Sequence, residues 1–150
     1  MIAAVHIVVG AALASKTQNP FLGLFFAALS HYILDVVPHR EYIESAKLPW
    51  KKPLHTFLMI TCDLLAGFLI VYLLSGNKLL ALAGGLAAIA PDFINGLYIF
   101  PRLTGTKLFK LERFIHADAA HFWDNKKIPL FWRIFSQALA LSIAVFFLQQ

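Results

Sequence analysis

Charge is what this chain of 150 residues has least of: Asp, Glu, Lys and Arg together make up 14% of it, against about a quarter in ordinary soluble domains. With 59% hydrophobic residues and a mean hydropathy of +0.70, that scarcity excludes a conventional soluble domain and predicts an integral membrane protein. Cysteine occurs once, at Cys62, which excludes an intrachain disulfide and any cysteine-rich zinc site. Lying inside an apolar run, Cys62 is expected to be a buried small hydrophobe. Common catalytic loops are missing too: there is no Gly-x-Ser-x-Gly elbow and no Walker loop, and Ser30 has no evident partner beyond adjacent His31. No polar stretch is long enough for a second domain, so residues 1–150 read as a single membrane-embedded domain with no nucleic-acid partner.

What is there is apolar helix. Runs at roughly 1–16, 20–38, 53–75, 79–100 and 129–148 predict an all-α polytopic bundle of about five transmembrane helices. The first run could be mistaken for a signal peptide, but no Lys or Arg precedes it, so it is expected to be retained. Between the fourth and fifth runs, Arg102 to Ile128 is less apolar. Leu108, Leu111, Ile115, Ala119 and Phe122 form one helical stripe there, flanked by Lys107, Lys110 and Arg113, which reads as an interfacial amphipathic helix. Basic residues gather in the connection carrying Arg40, Lys47, Lys51 and Lys52 and in the one carrying Arg102 to Lys127, whereas the other two hold Lys16 and Lys78. The positive-inside rule then places the N-terminus in the cytoplasm and the C-terminus outside a cell (inner) membrane.

Against this apolar background the stretch Ser30–His39, SHYILDVVPH, stands out. His31 and Asp35 are four apart on an otherwise apolar helix that is expected to end at Pro38. They project from one face, a spacing that suits one metal ion or one shared proton. Unpaired ionisable groups in hydrocarbon are costly, so partners are expected. His6 lies early in the first helix, His55 at the start of the third, and Asp92 with Asn95 late in the fourth. Under the topology above, all of them fall within roughly 15 Å of the cytoplasmic ends of their helices. The expected result is a shared site at the cytoplasmic interface.

Each residue also has a plainer reading, His6 as an interhelical hydrogen-bond partner and His39 as an exposed loop residue. Asp63, two turns past His55, is read as a supporting or helix-packing group, and Asn95 as an amide behind the ligands. In the surface segment Asp118 with His121 is a better pair than His116 with His121, which fall on opposite edges of the stripe. Small residues share faces with these polar ones at intervals of four: His6, Gly10 and Ala14; Gly23, Ala27 and His31; Gly84, Ala88 and Asp92; His55, Met59, Asp63 and Gly67. Such ladders let helix backbones approach closely.

Imidazole and carboxylate without thiolate suit a divalent transition metal, zinc first and manganese or iron next, with His6, His31, Asp35, His55 and Asp92 as candidate ligands. A metal with an open position activates water without a protein nucleophile. The motifs also resemble the YdjM-type family of membrane-bound metal-dependent hydrolases. SHYILD matches its Ser-His segment, VHIVVG its first-helix His and Gly, LHT its Thr-His-Ser element, and APDFIN its Pro-Asp pair, over about residues 1–100. Where that family carries a second Asp and a His after Pro-Asp, this chain has Ile94 and Asn95. The resemblance implies hydrolysis. Asp35, Asp92 and Asn95 are then the catalytic candidates, and Arg40, Lys51 and Lys52 would steer an anionic lipid or phosphoester. Two other readings use the same residues, a small metal-ion or proton transporter and a non-catalytic scaffold.

Overall fold

Asn19 starts the second helix by a device used again along the chain. Its side-chain oxygen accepts from the backbone N–H groups of Phe21 and Leu22 at 2.9 and 3.3 Å. Pro20 occupies the first helical position, where a missing N–H costs nothing. Asn77 and Thr106 accept from Leu80 and Phe109 in the same way. The structure, a computed structural model, describes residues 1–40, 53–96, 106–115 and 127–150. Its helices are α1 (Ala3–Lys16), α2 (Pro20–Val36), α3 (Pro53–Leu74), α4 (Lys78–Gly96), α5 (Lys107–Arg113) and α6 (Leu130–Gln149). Among the described residues there is no strand, so the fold is all-helical as expected.

The five apolar runs all form helices, but they are not equivalent. Two are long and apolar enough to cross a membrane, Leu54–Leu74 and Leu130–Gln149. α1 and α2 have 14 and 17 residues, or roughly 21 and 26 Å at 1.5 Å per residue. α2 ends at Val36, short of the expected Pro38. A residue before proline is pushed out of the helical region, and Val37 is already extended with ψ 135°.

α1 lies at the centre and packs against α2, α3, α4 and α6. Glycine makes this possible. A Cβ on Gly10 would stand 2.7 Å from the Gly84 carbonyl oxygen and overlap the Ala88 methyl, and one on Gly84 would stand 2.6 Å from the Gly10 oxygen. Gly23 lies against Ala14, and Ala27 against Gly10. The ladder His6, Gly10, Ala14 therefore runs antiparallel to Gly23, Ala27, His31 on one side and to Gly84, Ala88, Asp92 on the other. Gly76 tests this by contrast, since nothing lies within 4 Å of its would-be Cβ. Gly76→Ala is expected to leave unfolding in detergent unchanged to within about 0.5 kcal/mol. A larger loss would show that these close approaches do not govern the helix packing.

The height at which α1 begins is the main departure from the sequence reading. α1 has no side-chain cap of its own and no acid in its first turn. Its leading amides are met by other helices: Ala4 N–H donates to Asp63 Oδ2 at 3.2 Å and Ile2 N–H to Gln137 Oε1 at 3.4 Å. Asp63 and Gln137 sit near the middles of α3 and α6, so α1 starts about half-way along both. Beyond that level Ile7, Val8, Ala11 and Ala12 of α1 close onto Val71, Ala81, Ala144 and Leu148 in a solid apolar core.

Large apolar side chains clothe the outside, among them Phe21 and Ile33 of α2, Leu65 and Leu73 of α3, and Phe131 and Phe146 of α6. Cys62 belongs to this outer surface; it is exposed, not buried, because α3 turns it away from α1. On α5, Leu108 and Leu111 face outward while Phe109 is buried; Ile115, just past its end, is also exposed, and the helix packs against α4.

Candidate metal centre

The ladders carry their polar members to one level. His6 and His31 stack with ring centroids 4.2 Å apart, and both are fully buried. Asp35, one turn beyond His31 and equally buried, reaches both rings: Oδ1 lies 3.2 Å from His6 Nε2 and Oδ2 3.2 Å from His31 Nε2. One ligand atom from each of His6, His31 and Asp35 lies within 4.8 Å of the others. The Met1 amino group stands 2.6 Å from Asp35 Oδ1, so a cation is held against this carboxylate in the structure.

The tautomer of His31 follows from its outer contact. Nδ1 lies 2.8 Å from the Ala88 carbonyl oxygen, which can only accept, so Nδ1 carries the proton and Nε2 of the neutral ring presents its lone pair to Asp35. Pro91, three residues on, lacks the amide that would bond back to the Ala87 carbonyl on α4. An acceptor facing an acceptor at 3.2 Å needs a cation between them, either a proton or a metal ion. His6 points the same way. Its Nε2 lies against Asp35 Oδ1, while its Nδ1 is buried with no hydrogen-bond partner, a costly state for a polar ring. These residues fit a divalent ion: two imidazoles and a carboxylate, one imidazole fixed by a backbone carbonyl as metal-binding histidines commonly are. The C-terminal end of α2, with its negative dipole end, adds attraction for a cation.

His39 joins the group from beyond the end of α2. Its ring is fully buried, with Nδ1 2.7 Å from the Val37 oxygen and Nε2 4.0 Å from Asp35 Oδ1. The segment is clamped to α6, where Arg133 Nε donates to the His39 carbonyl at 2.8 Å and Ser136 Oγ donates to that of Pro38. Asp92 is nearly half exposed, with Oδ1 3.6 Å from His31 Nε2. It stands beside the group, not inside it.

Several expected members are placed elsewhere. His55 is exposed on α3 and, preceding Asp63 by two turns, lies about 12 Å toward the start of that helix, away from the level of His6. The cluster sits at mid-height of α3 and α6. Ser30 Oγ donates to the Ala27 carbonyl at 2.7 Å, a helix-internal contact. Arg40 is exposed at the end of the described segment, and Asn95 lies in the last turn of α4, its side chain outside the description. Lys51, Lys52, His116, Asp118 and His121 lie outside the described residues.

Sequence reasoning missed Glu112. It follows Phe109 at i+3 on the inward face of α5, opposite the leucine stripe that drew attention, and its carboxyl oxygens are buried. Burial pushes the carboxyl above its ordinary range; His31 draws it back and the Asp92 charge adds to the rise. The inward Phe-x-x-Glu spacing was the available signal. Comparison with family models, curated proteins and solved structures gives no match to this chain.

Proposed function

We propose that the chain is a polytopic membrane hydrolase of about five spans whose divalent transition metal, zinc before manganese or iron, is held by His6, His31 and Asp35. The observation that carries this is the buried trio itself, with His31 Nδ1 anchored on Ala88 and the Nε2 atoms of His6 and His31 both turned to the Asp35 carboxylate. The apolar outer faces of α2, α3 and α6 support a bilayer as the surround. With α3 spanning, the centre lies near the bilayer midplane. It is reached from the end at which α3 and α6 begin, where Arg40 is exposed and the basic connections mark the cytoplasmic side.

A bound divalent ion supplies Lewis acidity and an acidified water at this point. The protein supplies the rest. The Ala88 carbonyl fixes the plane and tautomer of His31; Asp35 offsets the added positive charge; and Asp92, half exposed beside His31, takes the proton as water attacks an ester or phosphoester. Arg40, with Lys51 and Lys52, steers an anionic lipid or lipid-linked substrate. The resemblance to YdjM-type hydrolases agrees with this chemistry.

The test is turnover of amphiphilic carboxylic and phosphoric esters by the purified protein in detergent. Activity that chelator abolishes and zinc, manganese or iron restores is expected. A second reading, a metal-ion carrier, draws on the mid-height position of the centre beside helix ends; the packed core beyond His6 opposes it. Zinc flux into proteoliposomes with no ester turnover would replace the hydrolase by the carrier.

A further inference from the structure

His6 reaches the centre only because α1 starts where it does, and nothing in α1 itself sets that height. A helix whose first amides are buried needs acceptors, yet Ile2 offers no side-chain cap and the first turn has no acid. The acceptor comes from α3: Asp63 Oδ2 takes the Ala4 N–H at 3.2 Å, in a position buried from solvent. One turn further along α3, Gly67 lies so close that a Cβ there would stand 2.9 Å from Ala4 Cα. The first turn of α1 is therefore pinned against one spot on α3. Residues 4 and 6 are about 200° apart around a helix, so α3 grips one side of α1 while His6 projects from the other, onto the His31 ring.

We propose that Asp63 is a positioning residue for the metal centre: by anchoring the Ala4 amide it fixes the height and rotation of α1 and so holds His6 over His31 and Asp35. The inference rests on the metal reading above. Asp63 acts through α1, by way of the Ala4 amide. Its carboxylate also faces the positive end of the α1 dipole, which strengthens the anchor.

The test titrates the purified full-length chain in detergent with Co²⁺, whose visible ligand-field bands report coordination geometry, and with Zn²⁺ in competition. The wild type is expected to show one saturable Co²⁺ site. Asp63→Ala should bind roughly 10- to 100-fold more weakly, the range found for residues that orient metal ligands, and with displaced bands. Asp63→Asn, which keeps an acceptor oxygen for Ala4, should restore affinity to within about threefold of wild type and return the bands to their place. Asp63→Glu keeps the charge and the cap but adds a methylene where Gly67 leaves no slack, and should again displace the bands. That variant decides the matter where Asp63→Ala fails to fold. A folded Asp63→Ala or Asp63→Glu protein with wild-type affinity and bands would overturn the positioning role while leaving the metal reading standing. A wild-type chain that binds no Co²⁺ would overturn both.

Discussion

Purified protein carrying His31→Ala and Asp35→Ala together is expected to lose its bound metal while keeping its helical fold. The pair supplies two of the three side chains in the trio, and even residues that only support a ligand are worth about 10- to 100-fold in affinity; removing two ligands outright should lower affinity by at least about 10², the low end of that range squared. Stability should fall as well. Removing one partner of a buried polar group strands the others, and both Asp35→Ala and the double variant leave His6 and the Met1 amino group without their shared carboxylate, so both should be less stable than the wild type. Metal per chain by elemental analysis, read beside circular dichroism, checks both parts. Unchanged metal content in the folded double variant would sink the assignment of these ligands.

Gly84→Val is expected to have the largest effect on the fold. A single Cβ at Gly84 would stand 2.6 Å from the Gly10 carbonyl oxygen and overlap the Ala14 methyl. The first obstacle is backbone of the central helix, which cannot swing aside as the tip of a long side chain can. Overpacking costs about 1–3 kcal/mol where side chains can adjust, so a branched residue against backbone should reach roughly 3 kcal/mol or more. Because the same contact aligns His6 with His31 and Asp92, metal should be lost along with stability. Denaturant unfolding in detergent, compared with Gly76→Ala, checks it; a Gly84→Val protein as stable as wild type would contradict the packing described for α1 and α4.

Much of this arrangement was legible because helices impose a period. His6, Gly10 and Ala14, Gly23, Ala27 and His31, and Gly84, Ala88 and Asp92 are spaced by four, and the antiparallel packing of α2 and α4 on α1 converts each spacing into a contact. The pairing of His31 with Asp35 needed only the i,i+4 rule. Heights were not legible. Treating every helix as starting at one membrane face puts His6 and His55 side by side, whereas Asp63 and Gln137 hold the first turn of α1 half-way along α3 and α6. Such contacts join residues far apart in sequence and leave no periodic trace. Glu112 was hidden for a related reason: the leucine stripe of α5 is its most visible pattern, but that stripe faces outward and the residue near the centre lies behind it. His39 was equally hard to place, because its burial depends on Arg133 and Ser136 of the distant α6.

The central claim is that a divalent ion binds at mid-height of the bundle between His6, His31 and Asp35. Crystals of the protein grown with zinc and measured on both sides of the zinc absorption edge test it directly. One anomalous peak is predicted, about 2.0–2.2 Å from Nε2 of His6, Nε2 of His31 and a carboxylate oxygen of Asp35, with the Met1 amino group displaced from that oxygen. A peak confined to His55 or to other surface residues, with the Met1 amino group still seated on Asp35, would contradict it.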